Sequence, residues 1–560
     1  MIYLVSTQSF IETEEIKSAT MEECLNYCGT LNEIGVDLET EGFDPHTKKI
    51  ISIQLGDFNN QYFLAWDSIN AVQLKPLLED STKLFLFHNA KFDLRFLYKQ
   101  NIYVNNVYDT FLAECVLTTG YSDNERDLSL KGVAYKYLSV DLDKSVRGVI
   151  HKEGISNRVI VYGAKDVMYL SKIKELQLEK IKEFELQNVL DLENNVVKVF
   201  ARIENTGVLI DIEKWKSISK ESSKIRDAIE KEMDTFIYQL GTKHLPDTNS
   251  TTKYCNIYKQ GNLFFENTEK DTFINWKSPA QKLQVLKDLG VDLESTGEQI
   301  LQKHSLETPL IPLLLSYSKH NKLSDAFGES FLSHINPVTG RVHYDVWQIL
   351  ATGRISVSEP NLNQIPSHGE FGKQIRSSFI AKKGYKIVGG DYSGFELRII
   401  AEFSQDPTWV NAFNNGEDLH SKLCAMTFGI PIEDVKKPFP AKPTFTYRDV
   451  QKTLNFGLSY GMSEFKLAST IQIDIKDAKE LIKQFFKAVP EVEQFLNMLG
   501  ELGKTRGYIR TGEPYRRLRF FPEWKPYFKD YKKYQLQSED WKALGSIERK
   551  SKNSPIQGTN

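Results

Sequence analysis

No stretch of this chain holds eighteen consecutive apolar residues, so the sequence offers no membrane-spanning helix. Its N-terminus, MIYLVSTQSF, has no basic segment followed by a long apolar one, and it is not the Arg- and Ser-rich stretch of a transit peptide. Without such an address, a cytoplasmic location is expected. Cysteine is sparse and scattered (Cys24, Cys28, Cys115, Cys255 and Cys424), which argues against a disulfide framework and fits a reducing compartment. Cys24 and Cys28 have helical spacing but no second Cys or His pair nearby, so a zinc site is not expected. Internal repeats and low-complexity linkers are missing as well. The net charge of −3 favours no class of partner, but its distribution is uneven. Residues 1–100 carry 15 acidic and 8 basic side chains, whereas 501–560 carry 7 acidic and 14 basic. The basic segment, with Tyr515, Arg516, Arg517, Arg519 and Phe520, could line a phosphate backbone or be a solvated surface.

What is present divides along the chain. At 560 residues it is too long for one core, and three or four domains are expected. Short β-rich runs at 33–38, 50–55 and 84–87 alternate with helical patterns at 71–79 and 91–99, predicting an α/β domain over 1–175. Helical, charge-laced periodicity runs from 171 to 240, with a turn at Gly207. Residues 241–275 are polar and turn-rich, and helical patterns return over 278–332. β-like stretches at 341–350 and 385–390 predict a second sheet, and 410–505 reads as mainly helical.

Two constellations carry chemistry. In the first, Asp37 and Glu39 of VDLET stand two apart, so on a strand both carboxylates face one side. Asp93 follows the apolar run 84–87, and Asp166 shares a helical face with Tyr162, four residues earlier. Either pair alone is more often a solvated strand end or helix face. Four carboxylates from three segments, with a phenol, suit a pair of Mg²⁺ or Mn²⁺ ions in phosphodiester hydrolysis. In order and on these elements, they resemble the three motifs of DEDD-type 3′–5′ exonucleases of the tyrosine subclass. That resemblance makes Asp37, Glu39, Asp93 and Asp166 metal ligands and Tyr162 the residue positioning the attacking water. Asn89 and Asp109 fall where that family also has polar residues.

In the second, Asp391 opens DYSGFELR after the apolar YKIVGG. A carboxylate at a strand end, beside the Tyr392 backbone carbonyl, can hold Mg²⁺ on a triphosphate. Downstream, Arg448, Lys452, Phe456 and Tyr460 recur every four residues and form one helical stripe. Cations beside aromatic rings suit a nucleoside triphosphate, charge on phosphate and flat face on base and sugar. A stripe of surface charges is the bland alternative, and it leaves the shared aromatics unexplained.

These segments resemble motifs A and B of family-A (polymerase-I-like) DNA polymerases. TGRIS, EPNLNQIP, QIRSSFIA and ERKSKNSPIQGTN extend the likeness over nearly the whole chain. The implied fold is an RNase-H-like mixed-sheet exonuclease domain (1–175) followed by an α+β right-hand polymerase body. Within that body, 176–335 would form its start and the thumb, and 336–409 the first palm part. The fingers would span 410–475, and 476–560 would continue fingers and palm. By the same likeness Asp391 and the Tyr392 carbonyl bind metal, and Glu396 is the steric gate against a ribose 2′-OH. Arg448 and Lys452 grip a dNTP, Phe456 and Tyr460 frame the nascent pair, and Arg376 faces the nucleotide or nearby template. Arg354, Arg549, Asn553 and Gln557 would touch primer–template DNA, reading shape more than sequence.

Three departures from the family pattern stand out. No 5′-nuclease domain precedes Asp37, an arrangement like that of phage replicative relatives. Residues 243–273 interrupt the thumb, either as a longer tip touching DNA or as an insertion for a processivity factor. The sequence ends at QGTN without a His-Asp-Glu turn, the family's source of a second catalytic carboxylate. The expectation is a large polymerase fragment completed by a C-terminal one. A free-standing exonuclease and a non-catalytic DNA-binding subunit are the alternatives, and the complete first carboxylate set counts against the latter.

Overall fold

The computed structural model of the chain describes every residue except 9, 144, 147–153, 242–273, 367, 368 and 560. The possible thumb insertion, 243–273, therefore lies outside the described residues. Two compact units emerge. One gathers Met1–Asn205, Val346–Val357 and Gly389–Asn560, the other Thr206–Asp345 and Ser358–Val388.

Seven strands open the first unit: β1 (Ile2–Val5), β2 (Ile16–Ser18), β3 (Glu33–Thr40), β4 (Ile50–Gly56), β5 (Gln61–Ala65), β6 (Leu84–Phe87) and β7 (Val107–Asp109). They form one sheet in the order β2-β1-β5-β4-β3-β6-β7. β4 runs antiparallel to both neighbours, and the other pairings are parallel. This is the mixed sheet that the resemblance implies. Its strands are short, rich in Ile, Leu, Val and Phe, and largely buried, as strands covered on both faces must be.

The helix Asn157–Met168 lies against β3 and β4. Two glycines permit that approach. A Cβ on Gly35 would fall 2.8 Å from the Val167 carbonyl oxygen, and one on Gly163 would fall 3.0 Å from Gln54 Nε2. The core under the sheet does not end near residue 175. Ile173, Ile181, Leu190, Val197 and Ala201, from the helices Leu170–Glu183 and Gln187–Thr206, are buried in it, so the unit runs on to Asn205.

The rest of the first unit is mainly helical, around a second core that includes Leu397, Trp409, Leu454, Phe485 and Ile547. A hairpin, Tyr508–Arg510 with Leu518–Phe520, ties the two parts together: Leu518 is buried in the first core, and Phe520 N donates to the Thr119 carbonyl at 2.8 Å. The second unit packs the helix Ile212–Gly241 on Leu310–Ala326. Its small antiparallel sheet places Val208–Ile210 between Arg341–Val342 and Phe379–Ile380.

The expected strand at 385–390 is not one. Residues 385–390 belong to no strand, and Tyr385, Ile387 and Val388 are 72, 66 and 92% exposed. An apolar, β-prone pattern becomes a strand only when a neighbour accepts its backbone hydrogen bonds, and among the described residues no segment does so.

Candidate active site

β3 outruns β6: their parallel pairing covers only Glu33–Gly35, while Asp37 and Glu39 pair on the other side with Gln54 and Ser52 of β4. The far end of β3 is thereby left open to the helix Ala90–Lys99. That helix starts from Asn89 in the left-handed region (φ 71°), held there by Asp109. The Asp109 carboxylate accepts from the amides of Asn89 and Ala90, each at 2.8 Å, and from Phe111 at 2.9 Å. Burial outweighs these hydrogen bonds and lifts its pKa to about 6. Asp109, which the resemblance marked only as a polar position, is thus a clamp on two helix starts that acts through backbone amides.

Asp37, Glu39, Asp93, Tyr162 and Asp166 all line one cleft of about 580 Å³. Carboxylate oxygens of Asp37, Glu39 and Asp166 lie within 4.8 Å of one another. Asp93 is not within that close set: one of its oxygens accepts the Leu38 amide at 3.0 Å. Burial pushes Asp93 well above the usual carboxylate range against that hydrogen bond, and the neighbouring Asp109 and Glu39 charges add to the shift. Convergent acidic oxygens, with a buried carboxyl that resists ionisation alone, are the donor set a hard divalent cation fits.

Trp347 lines the same cleft, and neither periodicity nor motif singled it out. It belongs to the segment Val346–Val357 that also carries Arg354. Its ring meets Phe111 edge-on at 5.7 Å, and its Nε1 donates to the Ile349 carbonyl at 2.8 Å. Buried contacts fix this segment: Val346 N donates to Glu204 at 2.7 Å, and Gln348 Nε2 donates to the Glu193 carboxylate at 2.6 Å.

The stripe expected to bind nucleotide lies on the helix Tyr447–Ser459 and its C-cap Tyr460, and the helix opens with a capping box between Thr446 and Asp449. Arg448 grips Asp418 through two hydrogen bonds of 2.7 and 3.0 Å. Chiefly through those bonds, Asp418 is lowered to about 2. Lys452 is exposed, Phe456 is half-buried with its ring 5.9 Å from His420, and Tyr460 caps the helix. Arg354 forms an ion pair with Glu396. Asp391 and Tyr392 are exposed in the unpaired stretch before the helix Phe395–Ser404.

Arg549, Asn553 and Gln557 stand four apart on the helix Ser538–Thr559, Arg549 exposed and the other two half-buried. Arg549 lies against Gly461, where an added Cβ would meet its Cγ at 3.1 Å. The buried Asn553 Oδ1 finds no hydrogen-bond partner among the described residues. Arg376 sits in the other unit, where its Nε donates to the Pro366 carbonyl at 3.1 Å.

The first unit thus combines a mixed sheet that gathers carboxylates at the open end of β3 with a helical body that carries a cation–aromatic stripe. Residues 264–560, more than half of the chain, match DNA polymerase family A, and residues 10–181 match a 3′–5′ exonuclease family. The chain belongs to DNA polymerase family A. It is 29% identical over 500 residues to DNA polymerase I of Pseudomonas aeruginosa, covering 87% of this chain and 49% of that protein. With DNA polymerase I of Geobacillus stearothermophilus the identity is 26% over 529 residues, covering 93% and 55%. The chain spans about half the length of these curated relatives. A solved structure, the POL domain of Pol1 from M. smegmatis in complex with DNA primer-template and dNTP, shares the fold. Its TM-score is 0.75 at 22% identity, over 100% of this chain and 86% of that one. No helix among the described residues is long and apolar enough to cross a membrane.

Proposed function

We infer that this chain is the larger part of a DNA-dependent DNA polymerase with a 3′–5′ proofreading exonuclease. The observation that carries the nuclease half is the meeting of Asp37, Glu39 and Asp166 in the cleft that Asp93 and Tyr162 also line. These carboxylates would hold Mg²⁺ or Mn²⁺, two ions per site, and bound metal would supply an activated water and neutralise the leaving oxygen. The chain's own part is orientation: the β3 register fixes the two-residue pair, and the Asn157–Met168 helix brings in Asp166 with the Tyr162 phenol to hold the water. The Trp347 ring at the cleft wall offers a flat face to an unpaired 3′ base.

For nucleotide transfer, Arg448 and Lys452 would bind the triphosphate of a dNTP, and Phe456 and Tyr460 its base and sugar. Glu396 would exclude a 2′-OH, and Arg376 would face the nucleotide or template. Asp391 and the Tyr392 carbonyl would take metal. Arg354, Arg549, Asn553 and Gln557 would contact primer and template. The exposed, unpaired 385–392 segment supports the need for a further polypeptide stretch, one carrying a His-Asp-Glu turn on strands that pair beside Asp391. A processivity factor at 243–273 and a cytoplasmic setting rest on the sequence alone.

The test of the nuclease is direct. Purified chain with Mg²⁺ or Mn²⁺ should shorten single-stranded DNA from its 3′ end, and Asp37→Ala with Glu39→Ala should abolish this. Undiminished shortening by the double variant would contradict the assignment.

A further inference from the structure

The helix Gln187–Thr206 begins beyond the expected nuclease domain, yet its buried polar side chains reach both walls of the nuclease cleft. Glu193 and Glu204 stand three turns apart and so share one face of it. The fully buried Glu204 carboxylate accepts from Lys91 Nζ at 2.6 Å and from the Val346 amide at 2.7 Å, with Arg95 Nη1 at 3.3 Å. Lys91 also donates to the Val346 carbonyl at 2.5 Å. Because Lys91 lies two residues before Asp93, this carboxylate ties the wall that carries Asp93 to the segment that carries Trp347. Asn194, beside Glu193, accepts the amide of the clamping residue Asp109 at 3.0 Å.

Glu193 holds the other side of Trp347. Gln348 Nε2 donates to its carboxylate at 2.6 Å and to its backbone carbonyl at 2.8 Å, while the second carboxylate oxygen is ion-paired with Arg517. Exposure alternates along the segment: Val346 is 2%, Trp347 40% and Gln348 7% exposed. In extended backbone this alternation puts the two neighbours on one face and the indole on the other, where it lines the cleft. Gripped on either side, the residue needs only the Ile349 carbonyl and the Phe111 edge to fix its ring. Of these contacts Gln348 is the separable one. Without its amide, Glu193 keeps Arg517, and Glu204 keeps Lys91, Arg95 and Val346.

We propose that Gln348, held by Glu193, is a positioning residue of the nuclease, keeping Trp347 turned into the cleft against the base of a single-stranded 3′ end. This rests on the reading of the cleft as a 3′–5′ exonuclease with Trp347 at the base. Gln348 touches neither the carboxylates nor the substrate, so its loss should act on substrate binding alone and only by way of the indole.

The experiment is steady-state trimming of labelled single-stranded DNA by the full chain with Mg²⁺, comparing Trp347→Ala, Gln348→Met and the double variant. Methionine matches glutamine in length and lacks the amide. Trp347→Ala should raise KM about tenfold, the scale of one base–aromatic stacking contact, with kcat unchanged. Gln348→Met should raise KM by about threefold or more, also at parental kcat. The double variant should equal Trp347→Ala, since a residue acting only through another adds nothing once that other is gone. Parental KM in Gln348→Met, a fall in its kcat, or KM losses that multiply in the double variant would each overturn the inference and leave the nuclease standing. Parental KM in Trp347→Ala would remove the indole from the substrate and the inference with it. Trimming that survives Asp37→Ala with Glu39→Ala would instead sink the nuclease reading itself.

Discussion

In the proposed reading, Phe456 and Glu396 would set nucleotide choice through what each leaves no room or partner for. Phe456 is half-buried on the stripe helix, and its ring presents no hydroxyl to a sugar lacking its 3′-OH. In a primer-extension assay with any additional polypeptide that extension requires, Phe456→Tyr should raise dideoxynucleotide incorporation, by about 2–4 kcal/mol of lost discrimination on the scale of a buried hydroxyl's unmet hydrogen bonds. Glu396 is paired with Arg354, which holds its carboxylate in one place. Glu396→Ala should therefore admit ribonucleotides while leaving dideoxynucleotide rejection intact. Competitive incorporation of paired nucleotides measures both, and parental selectivity in both variants would mean the helix register is misassigned. Residue spacing made most of this legible. Asp37 and Glu39 declare a shared strand face by period two, and Tyr162 with Asp166 a shared helix face by period four. Trp347 was not legible, because it reaches the cleft from a segment distant in sequence, and Asp109 was legible only as a position, because its work is done through backbone amides.

Among the elements, the hairpin Tyr508–Phe520 shows how the nuclease and polymerase parts of the first unit are joined. Gly120 has φ 107°, and a Cβ there would fall 2.2 Å from the Phe520 carbonyl oxygen, so backbone meets backbone. Beside this contact Arg517 and Glu193, 7 and 4% exposed, form a buried ion pair. Arg517→Met would strand the Glu193 carboxylate with only the Gln348 amide, a change of about 3–5 kcal/mol for a broken buried pair. Faster amide hydrogen exchange across the hairpin is the expected result, and adding Glu193→Leu should restore most of the protection. A double variant as unprotected as the single one would mean that packing, not charge, holds the hairpin. The helices of this region were readable from periodicity. The strand expected at 385–390 was not realised, since an apolar alternation specifies a face but cannot supply the partner strand.

On the scale of the whole molecule, both proposed sites fall, apart from Arg376, in the first compact unit, and their carboxylates are set differently. The nuclease carboxylates already converge, whereas Asp391 lies in an exposed, unpaired stretch beside apolar side chains open to solvent. A segment pairing with that stretch would satisfy its backbone and cover Ile387 and Val388, burying an obligate-type interface on the order of 2,000 Å² or more. The chain alone should accordingly trim a primer without extending it, and a co-expressed polypeptide bearing a His-Asp-Glu turn should restore dNTP-dependent extension. The division of the chain at Asn205 was hidden from the sequence, because the helices after 170 read as a generic charged pattern until the core they cover is known. That two independent sites act on one DNA end is tested by following a 3′-mismatched, labelled primer on template with Mg²⁺ and dNTPs, in the protein co-expressed with the His-Asp-Glu polypeptide. The parent should remove the mismatch and then extend; Asp391→Ala should only trim, and the Asp37→Ala, Glu39→Ala double variant should extend matched primers but leave the mismatch in place. Trimming that survives the double variant, or extension that survives Asp391→Ala, would contradict it.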